Sequence, residues 1–360
     1  MHCGHGDTQA QAQTGAGAAL IILAIETSCD ETAVCLMDDG GRVLADVIVS
    51  QMDIHKAYGG VVPEIASRKH LEMLPFVVRE ALTEANLTFG DIDAVAVTFG
   101  PGLAGALLCG VNYAKGLAFA LGKPVIGIHH MEGHIMANHV THAKLESPYL
   151  CLVASGGHTC LLHVKAPFVY EMLGQTRDDA AGEAFDKAAR TLGLPYPGGP
   201  NLEALAKGGN EKAFKFTRPR IDNPYDFSFS GLKTAVISLL HNAAQRGQAL
   251  NLADVAASFQ ASAIGFLLQP AFGAAKDLGI GRLSMAGGVL ANTALRERAK
   301  TLADEAGVAL YLPEKRFCTD NAVMIAEAAR RRLRMGQTSE MTLNAIAYMP
   351  LERVEKPPSL

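Results

Sequence analysis

Apolar and polar positions fall into blocks whose period changes along the chain. The run LIILAIE (20–26) is continuously apolar, as in a strand buried on both faces. TSCDET (27–32) is a polar bend, and AVCLM (33–37) is a second strand ending at the turn Asp38, Asp39, Gly40, Gly41, so the pattern predicts a hairpin. Residues 63–85 take helical periodicity. DAVAVTF (93–99) is a strand that runs into Gly100, Pro101 and Gly102, and GALLCGVNYAKGLAFAL (105–121) follows as a helix. PVIGIHH (124–130) is another strand, and a helix should start at its histidines.

The segment LCLVASGGHTCLLH (150–163) repeats the first hairpin. Ser155 and Thr159 stand 127 residues after Ser28 and Thr32, so one register holds through the motif. A single duplication at this spacing predicts two related domains rather than a solenoid of short repeats. Residues 180–260 read as mostly helical with Pro/Gly-rich loops, and 282–306 as a strand, a Gly-Gly turn and a helix. The predicted class is α/β, with a unit at 20–148, a second at 149–350 carrying the helical insertion, a polar leader over 1–19 and a tail over 351–360.

Composition narrows the function. With 32 Lys+Arg against 36 Asp+Glu, the net charge of −4 excludes a bulk positive field, so any nucleic acid must meet a local patch. Lys187, Arg190, Lys207, Lys212, Lys215, Arg218 and Arg220 are one such cluster; Arg330, Arg331, Arg332 and Arg334 form the densest basic run. The seven cysteines are odd in number, scattered and never spaced C-x-x-C, which suits a reducing cytoplasm. No membrane span is expected. His2, Cys3 and His5 in the leader have metal-binding chemistry but no neighbours to orient them.

Three short segments have the small residues whose amides cradle phosphate: 27–32, 154–159 and 286–292. Neither a Walker A sequence nor G-x-G-x-x-G occurs, so P-loop and dinucleotide readings fall. His130 and His134, at i and i+4, share one face of a helix, and Asp320 before the apolar helix AVMIAEAA (322–329) is the candidate third ligand. Two His and one carboxylate leave positions open for Fe(II) or Zn(II) chemistry. HMEGH is not the zincin pattern, because Glu132 is two residues after His130 and turns to another face. Asp30 and Glu31 are acids inside a would-be phosphate nest, which points to a metal, an amine or a solvated turn.

Ten ordered motifs then carry a resemblance: ETSCDET (26–32), VVPEIASRKH (61–70), FGPG (99–102), HHMEGH (129–134), SGGHT (155–159), GEAFDKAAR (182–190), YPGGP (196–200), FSFSGLKTAV (227–236), AGGVLAN (286–292) and CTDNAVMIA (318–326). Over about 20–350 the chain resembles the bacterial TsaD family of tRNA N6-adenosine threonylcarbamoyltransferases. The resemblance implies two actin-like (ribonuclease-H-like) domains with the active site in the cleft between them. It implies transfer of threonylcarbamoyl from threonylcarbamoyl-AMP to N6 of the adenosine 3′ of the anticodon in tRNAs reading ANN codons, releasing AMP. It makes His130, His134 and Asp320 ligands of one divalent ion, Fe(II) ahead of Zn(II), and places Val153, Ala154, Ser155, Gly156, Gly157, Asp186, Gly199 and Asn292 on the adenylate. An inactive TsaB-type paralogue and a small TsaE-type ATPase are the implied partners. Asp30 or Glu31, with His158 as the alternative, is the candidate acceptor of the amine proton. The rival readings are an actin-fold phosphotransferase and a nucleotide-holding scaffold.

Overall fold

A computed structural model describes residues 19–354. The first half runs β1 (Ile21–Glu26), β2 (Glu31–Asp38), β3 (Val43–Ser50), α1 (Met52–Lys56), α2 (Pro63–Glu84), β4 (Ala94–Gly100), α3 (Ala104–Leu121), β5 (Val125–His129) and α4 (His130–Thr141). The second half runs β6 (Tyr149–Ala154), β7 (Thr159–Ala166), β8 (Val169–Gln175), α5 (Ala181–Thr191), α6 (Gly198–Ala206), α7 (Ser230–Gln245), α8 (Leu252–Leu278), β9 (Arg282–Ala286), α9 (Thr293–Ala306), β10 (Ala309–Tyr311) and α10 (Ala322–Arg334).

The strands make two five-stranded sheets, ordered β3-β2-β1-β4-β5 and β10-β9-β6-β7-β8. Each is an antiparallel three-strand meander joined to two parallel strands, and the duplication extends to the register. Glu26 pairs with Ala33 as Val153 pairs with Cys160, and Ile22 with Met37 as Tyr149 with Val164. β3, β8 and β10 were not among the expected strands. The two hairpins are the pair the sequence predicts.

Alternation along each central strand decides which core a side chain enters. In β1, Leu23 and Ile25 pack towards α2 and α3, whereas Ile22 and Ala24 join a middle core with Cys151 and Val153 of β6. Leu150, Leu152 and Ala154 face α5, α7 and α8 in the third core. Both faces of β1 are therefore covered, which is why its sequence is apolar without alternation. Each such buried aliphatic side chain contributes roughly 1.5–3 kcal/mol.

The middle core is closed by α4 and α10, both packed between the sheets. α10 and the chain after it lie on the first sheet, where Ser339 N donates to Val125 O and Ile346 N to Phe99 O. Sequence order alone assigns this segment to the 149–350 unit. Its apolar face finds the uncovered side of β1 and β2 instead.

α3 and α8 are long and apolar enough to cross a membrane by length and composition alone. In α8 that composition fills a core, through Val255, Phe259, Leu267 and Leu268. The leader residues His2, Cys3 and His5 and the tail 355–360 lie outside the described residues.

Candidate metal centre and substrate cleft

The functional side chains gather at the carboxyl ends of β1 and β5 in one sheet and of β6 and β9 in the other, the usual ligand side of such sheets. α4 starts where β5 stops. His129 caps it, its Nδ1 accepting from Met131 N at 3.2 Å. The next turns place His130 and His134 side by side, ring centroids 4.6 Å apart. Asp320, just before α10, brings Oδ1 to 3.4 Å from His130 Nε2 and 3.3 Å from His134 Nε2. One ligand atom from each of the three lies within 4.8 Å of the others.

These residues fit a divalent ion. Both ring nitrogens of His134 are fully buried: among the described residues Nδ1 has no polar partner and Nε2 faces only the Asp320 carboxylate at 3.3 Å, an arrangement that a cation between the two would complete. The donor set of two imidazoles and a carboxylate matches an open Fe(II) or Zn(II) site. Burial alone would raise the Asp320 carboxyl, but His130 and His134 hold it well below the usual carboxylate range. Burial also disfavours charge on His130, yet Asp320 and Glu26 lift its pKa to about 9. A cluster that attracts positive charge this strongly is set for a cation.

Glu26 is the site residue the sequence reading missed. It ends β1 with no exposed surface, accepts from Ser28 N and Thr98 Oγ1, and lies 3.3 Å from His130 Nδ1. Ser28 Oγ is 3.1 Å from the same nitrogen. A carboxylate behind a ligand histidine fixes its tautomer and orientation. The signal was a lone acid closing a continuous apolar run, since a buried acid requires a partner.

The second bend supplies a different surface. Ser155 N donates to His158 O at 2.8 Å and His158 N to Ser155 Oγ at 3.1 Å, closing the turn and leaving the Gly156 and Gly157 amides exposed, without acceptors among the described residues. The start of α5 presses on this bend, for a Cβ on Gly182 would come within 2.8 Å of Gly156 Cα. The Gly287 turn is as close: its Cβ would stand 2.4 Å from Ala154 O. Val153 and Ala154 are fully buried, so what they offer a ligand is main chain.

Two expected contact residues are already engaged. Asp186 Oδ1 accepts from Gly198 N at 2.8 Å and Gly199 N at 3.3 Å, capping α6. Asn292 caps α9 through Oδ1 to Leu295 N at 2.9 Å and donates Nδ2 to Gln260 at 2.9 Å, leaving one amide hydrogen free. Gly199 has open space where a Cβ would be.

At the first bend, burial, then Asp30 and Asp320, push Glu31 above the ordinary carboxylate range. Burial, then His130 and His134, lower His158 to about 4, keeping it a neutral ring and a weak proton acceptor.

The basic run on α10 is mostly not a surface: only Arg334 is exposed, and it donates to Asp39 O. Arg330 and Arg332 are buried, bonded to Glu327 and Glu132, and Arg331 pairs with Glu327. In the insertion, Lys187 pairs with Asp179 and Glu183, and Arg190 donates to Gly59 O across the cleft. Arg218 is tied to main-chain carbonyls of Pro224 and Asp226. Lys207, Lys212, Lys215 and Arg220 are exposed and make no ion pair among the described residues.

Comparison with known proteins shows the family and the fold. Residues 42–327 match the family model described as TsaD: tRNA N6-adenosine threonylcarbamoyltransferase. The chain is 52% identical over 326 residues to the tRNA N6-adenosine threonylcarbamoyltransferase of Clostridium perfringens, covering 90% of this chain and 96% of that one. It is 53% identical over 331 residues to the same enzyme of Moorella thermoacetica, covering 92% and 97%. Among solved structures, full-length HypF in its phosphate- and nucleotide-bound form overlays with a TM-score of 0.58 at 14% identity, over 88% of this chain and 56% of that one. The (R)-2-hydroxyglutaryl-CoA dehydratase component A of Acidaminococcus fermentans gives 0.50 at 17% identity, over 87% and 98%. These two share the fold alone.

Proposed function

This chain belongs to the TsaD family, tRNA N6-adenosine threonylcarbamoyltransferases with an actin-like two-domain fold, and from that membership we propose how its own residues carry the transfer. The acyl donor is threonylcarbamoyl-AMP, and the acceptor is N6 of the adenosine 3′ of the anticodon. The observation that carries the reading is the buried group His130, His134 and Asp320, whose ligand atoms lie within 4.8 Å of one another.

In this reading the exposed amides of Gly156 and Gly157, at the start of α5, receive the phosphate of the adenylate. Main chain at Val153, Ala154 and Ser155, with Asp186, Gly199 and Asn292, lines the nucleoside. Glu26 takes the Nδ1–H of His130, which turns the Nε2 lone pair towards Asp320. A divalent ion held by His130, His134 and Asp320 supplies a Lewis acid for a carbonyl or phosphoryl oxygen, iron being our first choice and zinc the second.

The attacking N6 must lose a proton. Asp30 or Glu31, adjacent at the first bend, is the acceptor we assign. Exposed Lys207, Lys212, Lys215 and Arg220 are the cations left to meet the tRNA backbone.

The exposed apolar face of α2 and α3 is the surface we assign to the TsaB-type paralogue. Leu71 is 70% exposed, Phe76 64% and Phe119 80%, and a cavity of about 290 Å³ lies among Leu71, Leu74, Leu108, Cys109, Asn112 and Tyr113. The TsaE-type ATPase is the further partner in this reading.

A single-turnover assay with threonylcarbamoyl-AMP and unmodified tRNA, read by mass spectrometry of the nucleosides, tests the whole. Product that needs the partners and disappears on chelation or in Asp320→Ala supports it. Wild-type product from chelated enzyme refutes the metal assignment, and no product even with all partners refutes the donor.

A further inference from the structure

One charged pair in the core has no part in the chemistry above. Glu132 lies on α4 between the two histidines and has no exposed surface; Arg332, near the end of α10, is 6% exposed. Arg332 Nη2 reaches both carboxylate oxygens, at 2.8 and 2.9 Å, and Nη1 donates to Gln337 Oε1 at 2.9 Å. The guanidinium lies 4.3 Å from the centre of the Phe168 ring. Phe168 reaches that place from a left-handed turn, φ 60°, a conformation unfavourable for a residue with a side chain.

Such a pair is a poor source of stability. Apolar side chains of equal volume commonly do as well, because desolvating two charges offsets their attraction. What the pair fixes is an angle. α4 and α10 touch at Gly133, where an added Cβ would stand 2.7 Å from Ile325 Cδ1 and 3.1 Å from Met324 Cγ.

That contact is a pivot near the start of α10. At about 1.5 Å per residue, Arg332 lies ~10 Å beyond Ile325 and Ala322, the first residue of α10, ~4.5 Å before it, with Asp320 two residues further back. A slip of ~1 Å at Arg332 turns the crossing by about 6° and carries the start of α10, to which Asp320 is joined, by about 0.5 Å. Metal–ligand distances tolerate only about 0.2 Å.

We propose that the Glu132–Arg332 pair is a positioning clamp: it sets the crossing of α4 and α10 and so holds Asp320 at ligand distance from His130 and His134. The clamp rests on the metal reading above, and the test separates the two. Co(II) is titrated into the full-length metal-free protein and followed by visible absorption and by competition with a chelator, alongside thermal unfolding. The variants are Arg332→Lys, the double Glu132→Met/Arg332→Met, and Asp320→Ala.

The double variant removes both charges together, so its Tm stays within a few degrees of wild type. Its Co(II) affinity falls at least tenfold and its absorption bands change. Arg332→Lys keeps a cation, but one ammonium cannot span both oxygens, Gln337 and the ring, and its affinity falls three- to tenfold. Should the double variant fail to fold, Arg332→Lys decides.

Wild-type affinity and spectrum in the folded pair variants, with Co(II) lost in Asp320→Ala, overturn the clamp and leave the metal site standing. Wild-type binding in Asp320→Ala overturns the metal site and the clamp with it.

Discussion

Replacing Gly287 with alanine tests how closely the two phosphate-side turns are built. Gly287 has φ 96° and ψ 163°, a region that is essentially glycine's alone, so a side chain there costs about 1–3 kcal/mol. The new Cβ would also lie 2.4 Å from Ala154 O and 2.7 Å from its carbonyl carbon. Those atoms belong to β6, paired with β9 through Val153 and Ala286, so backbone must move, adding about 1–3 kcal/mol. The sum, about 2–6 kcal/mol, is a large part of a typical domain's stability. The shift carries Ser155 and the Gly156 and Gly157 amides with it, and the KM for threonylcarbamoyl-AMP should rise at least tenfold. Gly288→Ala is the control, since its Cβ meets only Thr319 Cγ2 at 3.9 Å, and should stay within about 0.5 kcal/mol. Urea unfolding of both, with initial rates, measures these effects. Equal stabilities for the two variants would refute the close-approach argument.

Glu26→Gln keeps the shape of the acid but not its charge behind His130, and should weaken metal binding ten- to a hundredfold by chelator competition; an unchanged affinity would deny Glu26 its orienting role. Burial, then Arg331, lowers buried His139 to about 4, so the unfolded chain binds this proton more readily. Stability from His139 is complete above the unfolded pKa of about 6.5 and is lost as pH falls towards 4, by about 2 kcal/mol at pH 5; His139→Gln should flatten that part of the urea-midpoint profile. Leu71→Asp with Leu108→Asp changes exposed positions and should leave Tm within a few degrees while abolishing co-elution with the TsaB-type paralogue; co-elution that persists moves the partner elsewhere.

The duplicated hairpins were legible because period-2 packing on two faces leaves continuous apolar strands, and because the 127-residue offset is a register that the ladders repeat. The pairing of His130 with His134, which the structure sets beside Asp320, was legible from i, i+4 spacing. α10 was harder: its sequence shows an amphipathic helix but not which sheet it covers, and it crosses back to β1 and β2. Its arginines read as a surface for the same reason, since Glu132 is 200 residues from Arg332 and no local pattern announces the pair. β3 hid its role because Asp46 interrupts an otherwise apolar VLADVIVS.

Divergence between the two bends gives the two halves of the site opposite electrostatic character. At the shared offset, Glu26 corresponds to Val153, Asp30 to Gly157 and Glu31 to His158. The backbone was copied, but the first copy gathers acids around a histidine and the second exposes bare amides. A phosphate at the first bend would face carboxylates; at ~4 Å and an effective dielectric near 20, each like-charge pair costs roughly 4 kcal/mol. At the second bend the same phosphate finds free N–H groups and the start of α5. On the function proposed above, that contrast would favour one direction for the adenylate, phosphate towards Gly156 and Gly157 and acyl group towards His130, His134 and Asp320.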